Sequence, residues 1–458
     1  MKTKINYYNN FFSRFKNVIA AILITAVLTT LNSCQKNGLD LKVPSQNSVS
    51  LLTQTNLSST ANMVLTWNDA ATVVITRMGV LGGNPLPPMP ESRFYAMLNI
   101  SMHDALNTIQ PKYKRYILSD VVNNNASPGA AVAQAAHDVI VNQFPPQQGY
   151  ADSLLNVSLN SIPDGTAKTQ GINLGKSSAI AILNLRANDG SANAQYDLPQ
   201  GTLPGQYRST PPFDATGFMA VPGWGNITPF ALASDSQYRP IPPYPVKSIA
   251  YATDVNELKR IGGAVSTVRT ADQTQIALFW LPSAPLMFNN IARTLLAQNN
   301  ITDAWKIARL LALVQIAEGD ANIASLNAKY HYFFWRPYTA IHLADSDGNA
   351  LTKADTTWQP LVFPTPPVPD YPSNHAVNGQ AATAVMVDYF QKNDFSFDVT
   401  SPNLSGVTRS FTSISQAARE NGLSRIYVGY HFRNAVDKGQ LQGAKIGDYI
   451  FGHVLQPL

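Results

Sequence analysis

Three short segments in the last third of this chain hold the residues whose types and spacing could do chemistry. Lys329 stands seven residues before Arg336-Pro337, then comes Pro372-Ser373-Asn374-His375, and Ser424-Arg425 with Gly429-Tyr430-His431 completes the set. Together they supply three cations, a hydroxyl, backbone donors and two histidines. That inventory suits a tetrahedral oxyanion held by many donors. One histidine is then free to attack or ligate it, and the other to move protons. Arginine offers a planar fork for two oxygens of one anion, and lysine a mobile point charge.

Local structure must bring these groups to one point. On a helix Lys329 and Arg336 are about two turns apart and project from one face. Pro337 disfavours helix at Arg336, so the helix should end there with Arg336 at its mouth. Tyr330, Tyr332, Phe333, Phe334, Trp335 and Tyr338 make this stretch aromatic and buried, where a cation needs an anionic partner; the competing reading is a solvated helix face. Ser373 or Asn374 is a natural N-cap for the helical run 380–390, and a helix N-terminus with free N–H groups attracts anions. A cap alone would also explain these two residues. Five of the ten residues from Phe363 to Pro372 are proline, a stiff approach that pins the turn and sets His375 over a bound anion. Arg425 and His431 would diverge on one continuous helix, and Gly429 gives the chain room to turn.

The remaining candidates are weaker. His103 and His137 precede Asp104 and Asp138 within apolar helical stretches and read as structural. Zinc is disfavoured, since the chain has no His-Glu-x-x-His and a single cysteine.

The rest of the chain frames this site. Its 458 residues are 45% hydrophobic but only 13% charged, so a large core is covered by a mostly neutral polar surface. Lys2, Lys4, Arg14 and Lys16 precede Cys34 with no acid among them, which leaves 29 basic against 28 acidic residues and no basic stripe for nucleic acid. That basic start, the apolar run 18–31 and Ser33-Cys34 read as a lipoprotein signal peptide over 1–33, with Cys34 lipidated. The expectation is an exported protein tethered to a bacterial membrane through that lipid only. Residues 34–60 are a polar tether. Helical patterns cover 65–79, 95–109, 129–144 and 171–188 in an N-terminal part, 61–194. A Pro- and aromatic-rich lid follows at 195–247. A helical core at 255–458 carries runs at 255–261, 271–280, 288–298, 302–330, 378–391, 413–423 and 437–454. Strand signals are few, so the fold class is mainly α, in one body.

In combination the three segments resemble the signature shared by the vanadium-dependent haloperoxidases and type 2 phosphatidic acid phosphatases, and the helices around them resemble the bacterial haloperoxidase-like branch. The resemblance covers most of the chain after about residue 60. It implies a helical bundle in which Lys329, Arg336 and Arg425 hold the oxyanion, with hydrogen bonds from Ser373 and the backbone N–H of Asn374. His431 would be the apical group and His375 the acid–base group. In a haloperoxidase, His431 ligates vanadium as vanadate, Lys329 polarises bound hydrogen peroxide, and a halide is oxidised. In a phosphatase without cofactor, His431 forms a phosphohistidine and His375 protonates the leaving group of a phosphate ester. The haloperoxidase is favoured, since the phosphatases' membrane spans are absent; a non-catalytic phosphate-binding lipoprotein is the third alternative. Two departures stand out. Asn374 replaces a glycine of the pattern, a change suited to a positive φ. Ala435 occupies the position of an aspartate that usually orients the last histidine, and Asn434 or Asp437 is expected to serve instead.

Overall fold

The computed structural model describes residues 57–82, 86–119 and 122–458. The leader, Cys34 and most of the tether lie outside them. Thirteen α-helices and one hairpin make up the regular structure of the described residues. The N-terminal layer contains α1 (Ser59–Gly82), α2 (Pro88–Ile109), α3 (Pro128–Gln143), α4 (Gln148–Asn160) and α5 (Thr166–Leu185). The C-terminal part contains α6 (Ile249–Ile261), α7 (Ala271–Phe279), α8 (Ala284–Gln298), α9 (Ala304–Tyr332), α10 (Pro337–His342), α11 (Asn374–Phe390), α12 (Ile414–Tyr427) and α13 (Arg433–His453). A two-stranded antiparallel sheet, β1 (Phe397–Ser401) and β2 (Leu404–Phe411), joins α11 to α12, with Phe397 opposite Phe411. Sequence patterning missed α4, α10 and this hairpin. β1 alternates buried and exposed residues over only five positions, and β2 has a single buried residue, which gives little signal.

α9 is the axis of the molecule. Every residue from Ile307 to Leu326 is buried, as expected of a helix that is surrounded on all sides. It packs on α1, α2 and α8 and on α11 and α13, so the N-terminal layer and the C-terminal bundle share one core through it. The helix therefore carries its polar residues into the interior, where each must find a partner. Asp320 accepts the backbone N–H groups of Phe230, Ala231 and Leu232 at 2.5, 2.8 and 2.9 Å, tying the 195–247 segment to the axis.

α11 and α13 approach unusually closely because of three glycines one turn apart on α13. A Cβ at Gly443 would lie 2.2 Å from the Val377 carbonyl oxygen, one at Gly447 2.4 Å from that of Ala381, and one at Gly439 3.0 Å from that of Ser373. This contact brings the N-terminus of α11 beside the turn that leads into α13. No helix among the described residues is long and apolar enough to cross a membrane.

Glu91 and Glu318 are buried carboxyls on the facing sides of α2 and α9. Glu91 accepts a hydrogen bond from Ser283 Oγ at 2.6 Å, while both oxygens of Glu318 lack a protein partner. Burial pushes the Glu91 pKa up to about 8 and that of Glu318 well above its usual range, with Glu91 adding to the latter. A carboxyl that keeps its proton up to about pH 8 when folded, but loses it near 4.5 when unfolded, binds more protons in the native state between those values. Stability must then fall as pH rises through that window. Glu91→Gln should flatten this slope and gain on the order of 1–3 kcal/mol at the alkaline end, read from denaturant unfolding at the two ends of the window. An unchanged pH slope would contradict it.

Candidate active site

Two breaks in helical structure build the cation pair. α9 does not run on to Arg336 but stops at Tyr332, where Phe333 takes a left-handed φ of 48° and caps the Lys329 carbonyl. Arg336 is the N-cap of the next helix, α10, with Pro337 as its first residue. The expectation that both cations project from one helix face is thus corrected: the helix ends between them at Phe333, and both side chains reach the carbonyls of residues 368–370. Both are buried, at 0% and 1% exposure.

The Pro-rich stretch before Ser373 is the other wall. Lys329 Nζ donates to the carbonyls of Pro369 and Asp370 at 2.6 and 2.9 Å. Arg336 Nε donates to the Val368 carbonyl at 2.7 Å, and its Nη1 to the Tyr430 carbonyl at 2.9 Å. None of these acceptors is a formal anion. Burial and the neighbouring Arg336 push the Lys329 pKa well below its usual value, despite the pull of Asp370. Arg425 is likewise buried, its pKa lowered to about 10, and its guanidinium lies 5.0 Å from the Tyr430 ring centre. Its Nη1 donates to the Trp280 carbonyl at 3.2 Å, while Nε has no partner.

Gly429 makes the turn that sequence spacing required. Its φ is +87°, and a Cβ there would meet the Gly262 carbonyl oxygen at 2.4 Å. The N–H groups of Tyr430 and His431 then bond back to the Arg425 carbonyl at 3.0 and 3.2 Å. As a result His431 faces Arg336, whose Nη1 lies 3.0 Å from His431 Nε2. The other ring nitrogen, Nδ1, is 2.8 Å from Asp370 Oδ1. Burial and the cations Arg336, Lys329 and Arg425 hold the His431 pKa well below its ordinary value. The neutral ring therefore donates from Nδ1 and presents its Nε2 lone pair to the cationic pocket.

Asp370 corrects the sequence reading, which placed this orienting role on Asn434 or Asp437. Asn434 instead donates its backbone N–H to Asp254, and Asp437 is exposed, near Arg433, Glu257 and Lys438. Asp370 is fully buried, and burial raises its pKa to about 7 against the pull of Arg336 and Lys329. It lies 61 residues before its histidine, so no local motif announces it. The one signal was an aspartate within a rigid run that ends at Ser373.

Ser373 is the N-cap of α11, as expected, but its hydroxyl caps nothing. The Oγ is buried without a partner, while its backbone N–H donates to the Ala435 carbonyl at 2.9 Å. Asn374 is the first residue of α11 and has no positive φ, so the glycine-like conformation considered for it does not occur. Its Nδ2 donates to Asn322 Oδ1 at 3.3 Å, and its N–H is among those a helix leaves free. His375 is clamped by Asn421. Nδ1 lies 3.2 Å from Asn421 Oδ1, and Asn421 Nδ2 donates to the His375 carbonyl at 2.7 Å. Burial and Arg425 keep the His375 pKa well below the usual value, so it is a neutral ring with Nε2 free of protein partners. Asn421 sits one turn before Arg425 on α12, a spacing that could have pointed to it.

His103 and His137 remain apart from this site. His103 Nδ1 meets Asp104 at 3.1 Å in the core, and His137 bridges Asp138 and Asp152 at 2.7 and 2.8 Å.

The donor set fits an oxyanion. Three buried cations converge with the unpartnered hydroxyl of Ser373, the unpartnered Nε of Arg425 and a helix N-terminus, against one carboxylate, which is already bonded to His431. Such a fold and site are those of a helical bundle around one buried oxyanion pocket. Residues 309–458 match the family described as the VCPO second helical-bundle domain. The chain is 27% identical to the vanadium chloroperoxidase of Curvularia inaequalis over 237 residues, 38% of this chain and 38% of that relative's length. Among solved structures, the first bacterial vanadium-dependent iodoperoxidase superposes with a TM-score of 0.73 at 24% identity, over 88% of this chain and 98% of that one. A holo-type bacterial vanadium-dependent chloroperoxidase superposes with a TM-score of 0.60 at 17% identity, over 80% and 92% of the respective chains. At these identities the structures show a common fold.

Proposed function

We propose that this protein is a vanadate-dependent haloperoxidase that oxidises a halide with hydrogen peroxide. The observation that carries the reading is His431. Its Nε2 is neutral, sits within reach of Arg336, and is set in orientation by a buried carboxylate. Lys329, Arg336, Arg425, Ser373 and the Asn374 N–H would hold the oxyanion's oxygens, and His431 would ligate its metal. When bound, vanadate supplies a Lewis-acid centre for activating hydrogen peroxide toward the halide.

The chain's own residues do the rest. The cations neutralise the anion in a buried setting where charge is poorly screened. Asp370 holds the Nδ1 proton of His431, which keeps Nε2 available as a ligand. Asn421 holds the Nδ1 proton of His375 in the same way, so that Nε2 can take up or return a proton at the pocket. The segment 195–247 lies across the pocket's aromatic wall: Tyr207 N–H bonds the Phe333 carbonyl at 2.7 Å, and Trp335 N–H bonds that of Gly205 at 2.9 Å. Export and a lipid anchor at Cys34 are part of the same proposal and rest on the leader's composition.

The test uses protein lacking the first 34 residues and stripped of bound anions. Bromide and iodide oxidation by hydrogen peroxide should appear only when vanadate is added. Hydrolysis of phosphate esters that vanadate inhibits, with no vanadate-dependent halide oxidation, would replace this reading with the phosphatase.

A further inference from the structure

The β1–β2 hairpin and α7 lie outside the site described above, yet both lead to Arg425. α7 ends at Phe279 with Trp280 as its C-cap, and the last four carbonyls of a helix have no intrahelical partner. The hairpin takes two of these. Asn403 Nδ2 donates to the Leu278 carbonyl at 2.9 Å, and Ser401 Oγ to that of Phe279 at 2.6 Å. The next carbonyl, that of Trp280, accepts Arg425 Nη1 at 3.2 Å. One of the site's three cations is therefore held at the negative end of a helix, where positive charge is favoured.

Trp280 is anchored by its side chain as well. Its ring is fully buried and stacks at 26° on Phe288, and its Nε1 donates to Glu420 Oε1 at 2.9 Å. Arg409 of β2 grips the same carboxylate: its Nε and Nη2 donate to the two oxygens at 2.6 and 2.9 Å. Arg409 Nη1 reaches back to Asp272 and Gln275 of α7, at 2.8 Å each. The contacts close a ring that runs from α7 to β2, on to α12, and through Trp280 to the end of α7 again. A guanidinium bonded to both oxygens of one carboxylate has little freedom, and this pair is largely shielded, at 14% and 13% exposure. Glu420 and Arg425 are five residues apart on α12. The ring thus fixes the Trp280 carbonyl relative to the helix that carries the cation. A pair that only stapled the hairpin to α12 would have no use for the indole N–H.

We infer that Glu420 and Arg409 are positioning residues of the anion site, which hold Arg425 in place through Trp280. Their polar atoms are taken up by one another, by Trp280 and by α7, so they act on the anion through Arg425. The inference rests on the reading of Arg425 as a group that holds the oxyanion, and it is independent of whether that anion turns over.

Glu420→Ala should raise the Kd for vanadate about threefold to thirtyfold, up to the loss of one hydrogen bond to a charged group. Trp280→Phe keeps an aromatic ring, removes the indole N–H and should have a similar effect. Glu420→Gln retains an acceptor for that N–H and should stay within about threefold of wild type. The discriminating measurement is a cycle with Arg425→Ala, by calorimetric titration of the stripped proteins with vanadate. Glu420→Ala should cost nothing further once Arg425 is gone, whereas general loosening of the fold would weaken binding equally in both backgrounds. Unchanged affinity in Glu420→Ala and Trp280→Phe, or equal losses with and without Arg425, would overturn the inference. If Glu420→Ala does not fold, Trp280→Phe takes its place in the cycle. Wild-type protein that binds vanadate but oxidises no halide would remove the peroxidase reading and leave this one standing. Wild-type protein that binds neither vanadate nor phosphate would remove both.

Discussion

Asp370→Asn should weaken vanadate binding about 10- to 100-fold, the usual range for the partner that orients a metal-ligating histidine. The substitution is nearly isosteric and leaves the backbone carbonyls of Pro369 and Asp370 in place for Lys329. What it changes is the atom facing His431 Nδ1, 2.8 Å away. An amide can turn its N–H toward that nitrogen and force the ring into the other tautomer. The proton then sits on Nε2, where the lone pair is needed. Asp370→Ala should cost at least as much, since it also leaves Nδ1 without an acceptor. Ala435→Asp in the Asp370→Asn background should restore part of the affinity, because residue 435 stands four residues after His431, where the motif's usual aspartate would offer its carboxylate. Titration of the stripped proteins with vanadate measures all three. Wild-type affinity in Asp370→Asn would show that His431 is oriented by something else.

His375→Ala should have the opposite signature. Vanadate binding should stay within about tenfold of wild type, while the rate of halide oxidation falls by about 10²–10⁴, the range for loss of a positioned acid–base group. The anion's cations remain, and His375 is held by Asn421 rather than by Arg336 or Lys329. The pH dependence gives a second check. Burial and Arg425 lower the His375 pKa, so its neutral form persists to lower pH than for an ordinary histidine, whose value is about 6.5. Activity that needs the neutral ring should be lost as pH falls through that depressed value, on the acid side of 6.5, and this limb should vanish in His375→Ala. Equal losses of binding and of rate would assign His375 to holding the anion instead.

Much of this site was legible in residue order, and the part that was not has a common cause. Lys329, Arg336, Ser373, Asn374, His375, Arg425 and His431 each sit next to a proline, a glycine or a helix end, and those marks are local. The turn at Gly429 could be anticipated because the spacing of Arg425 and His431 demanded one. The helix end at Tyr332 could not, since Phe333 adopts its left-handed conformation without a residue type that announces it. Asp370 and Asn421 reach the site through tertiary packing. Asn421's place one turn before Arg425 is the single spacing that hints at either. The helices followed the same division: the long α9 and α13 stood out, while α4, α10 and the hairpin are short or lack a strong apolar stripe.

The five residues from Val368 to Pro372 have a consequence beyond stiffness. Val368 receives Arg336, the carbonyls of Pro369 and Asp370 receive Lys329, the Asp370 side chain receives His431, and the next residue along is Ser373. Four working groups hang from one rail. Their energies cannot then be independent, because any shift of the rail moves all four acceptors and donors at once. Double-mutant cycles between Lys329 and His431, which share no hydrogen bond, should show coupling beyond the charge effect of Lys329 on the ring, where distant sites would simply add. A change of halide preference or anion affinity would come more readily from a small displacement of this segment than from exchanging any one of the residues it holds.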